Sequence, residues 1–238
     1  MTKFNQTYRK KALQIVDQID TVGFGFRPSA LQKIAGSKSL AFSLPAGPDF
    51  TCPGATEACK DCYAQKGRHI FSNVQTSQMR NWVTMSFFES SNDVQGAAEF
   101  LIDMIPNGAP IFRIHESGDF HSQFAVDVWD EVARQLPKTK FWFYTRSFHL
   151  DFTYLLKHSN VSGWASTDTY NTIQATNFAR RFNIKQAFGP WDLNTPTPTN
   201  SFVCPVTNGK LGLQAACEKC KLCVVKDRTS KNVVFIGH

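Results

Sequence analysis

From about residue 92 to residue 188, segments whose apolar residues have helical spacing alternate with short segments typical of strands. Apolar residues with helical spacing predict helices, and the short runs of aromatic and β-branched residues between them predict strands. Asn92 and Gln95 form a capping-box pattern at the first of these helices. The predicted helices cover residues 92–105, 124–136, 151–158 and 169–182, and the predicted strands cover residues 110–114, 140–144, 161–166, 184–188 and 201–204.

Upstream of this region the pattern is less regular. It predicts a basic helix at residues 8–19, a turn at Gly23 and Gly25, a short helix at 28–34 and an extended segment at 39–44.

Strands that alternate with helices at this spacing predict an α/β fold with a parallel sheet. About six such units suggest a partial (β/α) barrel rather than a complete eight-fold one. We expect residues 1–200 to form this barrel, with N-terminal helices and an iron–sulfur loop, and residues 201–238 to form a small cysteine-rich metal-binding segment. In such folds the chemistry lies at the C-terminal ends of the strands.

Composition and charge restrict the range of functions that the protein can have. With 238 residues and 42% hydrophobic content, the chain can bury a substantial core. It contains no apolar run long enough for a membrane-spanning helix and no signal-peptide pattern, so we expect a cytoplasmic protein that does not contact the membrane. The net charge of +7 favours a nucleotide or nucleic acid partner, although a solvated basic surface explains it equally well.

The cysteines point to metal chemistry. Their number, seven, is odd, and they occur in two tight groups separated by a long cysteine-free stretch. A disulfide framework would normally scatter them, whereas CxxC pairs in an intracellular chain are typical of metal or redox sites.

The first group, Cys52, Cys59 and Cys62, has the spacing C-x6-C-x2-C. Three thiolates can hold three corners of a [4Fe-4S] cluster and leave the fourth iron open to a substrate or cosubstrate. The alternatives are a zinc site completed by a distant residue, with His69 the nearest candidate, or a set of buried thiols.

The second group has four thiolates and therefore a complete ligand set. Its spacing, C-x12-C-x2-C-x2-C, resembles that of ferredoxins and favours a second [4Fe-4S] cluster over a structural Zn²⁺. In either case it would serve electron relay or structure rather than the reaction itself. Its ligands would be Cys204, Cys217, Cys220 and Cys223.

Three stretches, at residues 52–67, 112–120 and 143–147, resemble the phage family called gene product 88 and, more distantly, the radical S-adenosylmethionine enzymes. The usual spacing in the radical enzymes is C-x3-C-x2-C, so the first gap here is longer. The resemblance implies that S-adenosylmethionine binds the open iron and is cleaved to a 5′-deoxyadenosyl radical. It also implies an electron donor as a partner and, for a phage protein, action in the host cytoplasm.

Polar residues follow three successive predicted strands. After the first come His115 and Asp119, candidate acid–base or substrate-binding groups, with Glu116 and Ser117 as cosubstrate contacts and Gly118 allowing close backbone approach. The next two strand ends add further candidates for cofactor binding. These are Arg146 for a carboxylate or phosphate, Asp168 for ribose hydroxyls, and Ser166 as a further polar group of the same strand end. The alternative is that these residues only cap turns and helices.

Two other functions compete with an iron–sulfur enzyme that modifies a nucleobase, nucleotide or nucleic acid. One is a base-exchanging transglycosylase-like barrel with Asp119 or Asp168 as nucleophile and zinc in the tail, which leaves the first cysteine group unused. The other is a non-catalytic, metal-stabilised nucleic-acid-binding protein.

Overall fold

The computed structural model describes residues 24–30, 40–192, 194–214 and 216–237. The helix predicted at residues 8–19 lies outside the described residues, as does most of the one predicted at 28–34. The described start of the latter contains a short strand instead, Ser29–Ala30.

A single sheet organises the described part of the chain. Its strands lie in the order β1-β2-β3-β4-β5-β6-β8-β7, and only the pairing of β1 with β2 is antiparallel. The strands are β1 (Ser29–Ala30), β2 (Leu40–Ala41), β3 (Ile111–Arg113), β4 (Lys140–Thr145), β5 (Val161–Thr167), β6 (Lys185–Trp191), β7 (Ser201–Val203) and β8 (Asn232–Ile236). The α/β class is confirmed. The sheet has seven parallel strands in its described part rather than about six, and there it is open rather than closed.

The order of the central strands follows their order along the chain. From β2 to β6 each strand pairs with the next one along the chain, as in a singly wound (β/α) unit. Residues 201–238 add the last two strands, with β8 inserted between β6 and β7. The cysteine-rich segment therefore continues the same sheet.

Five α-helices accompany these strands in the described residues. They are α1 (Ser72–Ser90), α2 (Val94–Met104), α3 (Gln123–Gln135), α4 (Thr172–Phe182) and α5 (Ala216–Cys220). In this part of the chain, none of the helices has the length and apolarity needed to cross a bilayer.

Two details of the predicted helices are wrong. The cap of α2 is Asp93, whose carboxylate accepts a hydrogen bond from the Gly96 amide at 2.8 Å, and not Asn92. Residues 151–158 form only a 3₁₀ turn at Leu155–Lys157. The Asp151 carboxylate accepts hydrogen bonds from both the amide and the hydroxyl of Thr153, which holds the backbone in a turn instead of a helix.

Different parts of the chain pack against the two faces of the sheet. Phe112, Phe141 and Phe143 point to the helical side, where they share one core with Trp129 of α3 and with α2. This is the outer face. Side chains one position away along the strands point to the opposite, inner face, because successive strand residues alternate.

The inner face is covered by the cysteine-rich segment. Ile111 and Trp142 pack against Val224 and are joined there by the side chains of Cys217 and Cys223. The second cysteine group thus lies directly on the sheet.

Gly163, in the middle of β5, tests the packing of the outer face. A Cβ atom at this position would lie 2.7 Å from side-chain atoms of both Leu156 and Phe143. We expect Gly163→Ala to lower the free energy of unfolding by about 1–3 kcal/mol because it overpacks the core. Urea denaturation measures the change, with Gly212→Ala as the control because a Cβ there meets nothing within 4 Å. Equal stability of the two variants would contradict this packing.

Candidate functional site

The first cysteine loop lies at the C-terminal ends of the central strands. The Asp119 amide donates to the Thr51 carbonyl at 3.2 Å, which ties the residue before Cys52 to the segment after β3. Gly54 lies against the backbone after β4, where a Cβ atom would overlap the carbonyl oxygen of Arg146. The loop is therefore seated on the edge of the sheet where α/β proteins place their active sites.

Asp119 joins two strand ends beneath this loop. Its carboxylate accepts hydrogen bonds from the Thr145 hydroxyl (2.8 Å), the Arg146 amide (2.7 Å) and the Phe120 amide (2.8 Å). Burial raises the pKa of the carboxyl group, and these donors partly offset the rise. The bonds orient the side chain toward the protein backbone, so its role in the structure is to hold the strand ends together.

Arg146 and Asp168 form an ion pair on the rim. The guanidinium donates to one carboxylate oxygen of Asp168 from Nε at 3.2 Å and from Nη2 at 3.1 Å. The hydroxyl of Thr56 donates to the same oxygen at 2.7 Å and lies 3.8 Å from the Cys59 sulfur. Thr56 therefore connects the cysteine loop to the predicted rim.

The charge of this rim acts on the loop cysteines. Burial raises the pKa of the Cys62 thiol, and the nearby Arg146 cation works against that rise. Burial alone would lower the pKa of Arg146, but the Cys59 thiolate and then Asp168 raise it above its usual value. Arg146 thus lies within electrostatic range of two of the three predicted metal ligands.

None of the seven cysteines forms a disulfide bond within the described residues, and all seven are partly buried. The sulfur of Cys52 accepts a hydrogen bond from the Gly47 amide at 3.3 Å, and that of Cys59 accepts one from the Thr56 amide at 3.5 Å. Burial and the charge of Asp119 raise the pKa of Cys52, with smaller contributions from the other two thiols of the loop. The three sulfurs of this loop are therefore within electrostatic range of one another.

In the described residues, no three or more His, Cys, Asp or Glu side chains stand in a ready-made metal-binding arrangement. The donor chemistry of both groups still fits an iron–sulfur cluster, since each offers soft thiol ligands that are not consumed by disulfides. His69 does not point to the loop sulfurs. Its Nδ1 lies 3.3 Å from Gln78 Nε2, and its Nε2 lies 3.7 Å from Glu116 Oε1.

The residues after β3 serve different parts of the fold. Glu116 is buried, and its carboxylate accepts hydrogen bonds from Arg68 Nη2 at 2.7 Å and from the Ser43 hydroxyl at 3.3 Å. Its carbonyl oxygen accepts a hydrogen bond from the Tyr63 hydroxyl. Glu116 therefore anchors the segment that follows Cys62.

Ser117 and Gly118 both contact the chain before the first cysteine. The Ser117 hydroxyl donates to the Leu44 carbonyl at 2.9 Å. Gly118 has φ of 78°, and a Cβ atom there would lie 2.5 Å from the Thr51 hydroxyl oxygen. Glycine is thus needed at position 118 for the protein's own packing, where the sequence suggested approach to a ligand.

His115 faces the outer core. Its ring packs against Phe120 at 4.5 Å between centroids, and also against Phe42 and Trp129. Both ring nitrogens are buried without a hydrogen-bond partner in the described residues. Burial lowers the pKa of His115 well below its usual value, so the ring is neutral in this apolar setting. The imidazole lies on the opposite side of the sheet from the second cysteine group.

Ser166 precedes Asp168 by two positions, so the two side chains share the inner face. Ser166 is only partly buried, and its carbonyl accepts a hydrogen bond from Asn171 Nδ2 at 3.1 Å. Asp168 also accepts a hydrogen bond from the Tyr170 amide at 2.8 Å. The structure therefore brings Arg146 and Asp168 together at one rim, and Ser166 lies near the end of β5, two positions before Asp168.

The second cysteine group lies on the inner face of the sheet, where Cys217 and Cys223 pack near Ile111 and Trp142. Tyr144 packs in the same cluster as Cys217 and Cys223, and Trp164 Nε1 donates to the Cys223 carbonyl at 3.0 Å. Burial raises the pKa of Cys223 to about 12, and the other three thiols of the group add to the rise. Cys204, Cys217 and Cys220 thus each lie within electrostatic range of Cys223.

Gly54→Ala tests the seating of the cysteine loop in metal-free protein. The new methyl group would force the loop away from Arg146, which exposes Cys52 and lowers the pKa of its thiol. Because only the thiolate reacts, we expect alkylation of Cys52 by iodoacetamide at pH 8 to accelerate by about tenfold for each unit of pKa lost. Peptide mass spectrometry measures the rate, with Gly212→Ala as the control. An unchanged rate would show that the loop does not rest on this strand end.

The chain resembles known phage proteins over most of its length. A family model described as Gene product 88 matches residues 5–226. The Gene 88 protein of Mycobacterium phage L5 is 31% identical over 211 residues, covering 82% of this chain and 85% of the phage protein. The Gene 88 protein of Mycobacterium phage D29 is 30% identical with the same coverage of both chains. No solved structure matches. The chain therefore belongs to the gene product 88 family.

Proposed function

We propose that this protein is an iron–sulfur enzyme in which Cys52, Cys59 and Cys62 hold a [4Fe-4S] cluster with one open iron. When bound, the cluster would supply the electron that cleaves S-adenosylmethionine, and a small electron-transfer protein would supply that electron to the cluster. The observation that carries the proposal is the position of the loop. Three free thiols, rather than four, lie at the C-terminal rim of a parallel sheet beside Arg146 and Asp168.

Arg146 is the residue best placed to bind an anionic part of the cosubstrate. Its hydrogen bonds to Asp168 and to the Gly189 carbonyl use Nε and Nη2. Within the described residues this leaves Nη1 for a ligand carboxylate or phosphate. Its cation would also stabilise the negative charge of cluster thiolates in the same rim.

Asp168 would act on Arg146 and on the ribose. One carboxylate oxygen is shared by Arg146 and Thr56, and the other accepts the Tyr170 amide. A carboxylate in this position can also accept a hydrogen bond from a ribose hydroxyl, with Ser166 beside it as a second polar group. Asp119 holds the strand ends and is not offered to a substrate, because three donors already engage its carboxylate. His115 has no direct part in this proposal.

The substrate class is inferred from charge and family. A net charge of +7 favours a polyanionic partner, and the relatives are phage proteins. We therefore propose that the substrate is a nucleobase, a nucleotide or a nucleic acid. The second cysteine group would hold an auxiliary [4Fe-4S] cluster or a structural Zn²⁺ that supports the inner face.

Anaerobic purification of matched cysteine variants tests the proposal. We expect Cys59→Ala to lose about four iron and four sulfide per chain, along with reductive cleavage of S-adenosylmethionine to 5′-deoxyadenosine. Cys220→Ala is the control because it removes a thiol from the second group only, so it should retain the open cluster and its electron paramagnetic resonance signal. The proposal fails if the wild-type protein binds only zinc, or if the reduced protein leaves S-adenosylmethionine intact.

A further inference from the structure

Arg113 lies between the two cysteine groups on the inner face of the sheet. It ends β3, two positions after Ile111, which packs beneath the second group. Its Nη2 lies 3.4 Å from the hydroxyl of Tyr63, the residue after Cys62. Its guanidinium carbon lies 5.4 Å from the centre of the Tyr144 ring, which packs in the same cluster as Cys217 and Cys223. One side chain thus reaches both groups.

The charge of Arg113 is not balanced by a carboxylate. Its Nε is buried without a hydrogen-bond partner, and no acidic side chain of the described residues lies within ion-pair distance. The nearest acid, Glu116, is already engaged by Arg68 and Ser43. Arg113 is half-buried and its Nε is withdrawn from water, so an anion nearby would stabilise the guanidinium.

The second cysteine group can supply that anion. Cys217 and Cys223 pack with Tyr144 and Trp142 on the same face. Four thiolates around Zn²⁺, or around a [4Fe-4S] cluster, carry a net negative charge, whereas four protonated thiols carry none. The cation of Arg113 and the ring of Tyr144 stand next to this position. The pairing is thus complete only when the second group is deprotonated and loaded with metal.

We infer that the half-buried Arg113 is the counter-cation of a metal centre formed by Cys204, Cys217, Cys220 and Cys223. It acts through Tyr144 and the field of the thiolates, and is therefore a positioning residue. This inference rests on the part of the proposed function that places metal at the second group. It does not depend on the first group or on S-adenosylmethionine, and it holds for either metal.

Metal release from the full-length protein tests this role. The metal of the second group is defined as the fraction that Cys220→Ala lacks, and its transfer to excess chelator is followed under anaerobic conditions. Since loss of a side chain that supports the metal ligands typically weakens a metal site by about 10- to 100-fold, we expect Arg113→Gln to release this fraction faster by about that factor. Arg113→Lys keeps the cation and should remain close to the wild-type rate.

Two further variants complete the comparison. Arg113→Met keeps the apolar stem and is a second uncharged variant in case Arg113→Gln does not fold. Arg134→Gln is the matched control, because Arg134 is exposed on α3 and pairs only with Glu131 among the described acids. Release at the wild-type rate from the uncharged variants would overturn the inference, as would fast release from Arg113→Lys or a Cys220→Ala protein that lacks no metal. Loss of the first cluster alone would count only against the proposed function.

Discussion

The buried carboxylate of Asp119 is the interaction on which the candidate site depends. It binds the backbone amide of Arg146 and the hydroxyl of Thr145, while its own amide holds Thr51. The ends of β3 and β4 and the start of the cysteine loop are thereby fixed to one another. Arg146 can then reach Asp168, and Gly54 can rest on the Arg146 backbone. These hydrogen bonds hold the cysteine loop in its position on the edge of the sheet.

Much of the fold was predictable because the apolar residues of its strands and of most of its helices recur with a clear period. The strands at β3 to β6 and the helices α2, α3 and α4 agree with the sequence pattern within a few residues. Helix α1 was missed, although it is the longest helix described. Its buried side includes Asn81, Gln78 and Thr84, and Asn81 hydrogen-bonds to the backbone of Arg27 and Ser43. A helix that buries amides to hold loops has no apolar stripe to detect.

The candidate site was predictable where a residue's position on a strand decided its place, as for Arg146 and Asp168. It was not predictable where neighbours decide the side on which a residue packs. His115 follows β3 with φ of 54° and turns its ring into the outer core, which no pattern of polar residues indicates. Thr56 and Arg113 were also missed, because their significance comes from residues far away in the sequence.

The central proposal is an open [4Fe-4S] cluster at the first cysteine group. A Mössbauer experiment tests it most directly. The Cys220→Ala variant, enriched in ⁵⁷Fe, isolates the first group from the second. If one iron is open, we expect S-adenosylmethionine to change the isomer shift of that iron and to leave the other three irons of the cluster unchanged. A variant without iron, or a spectrum that S-adenosylmethionine does not alter, would contradict it.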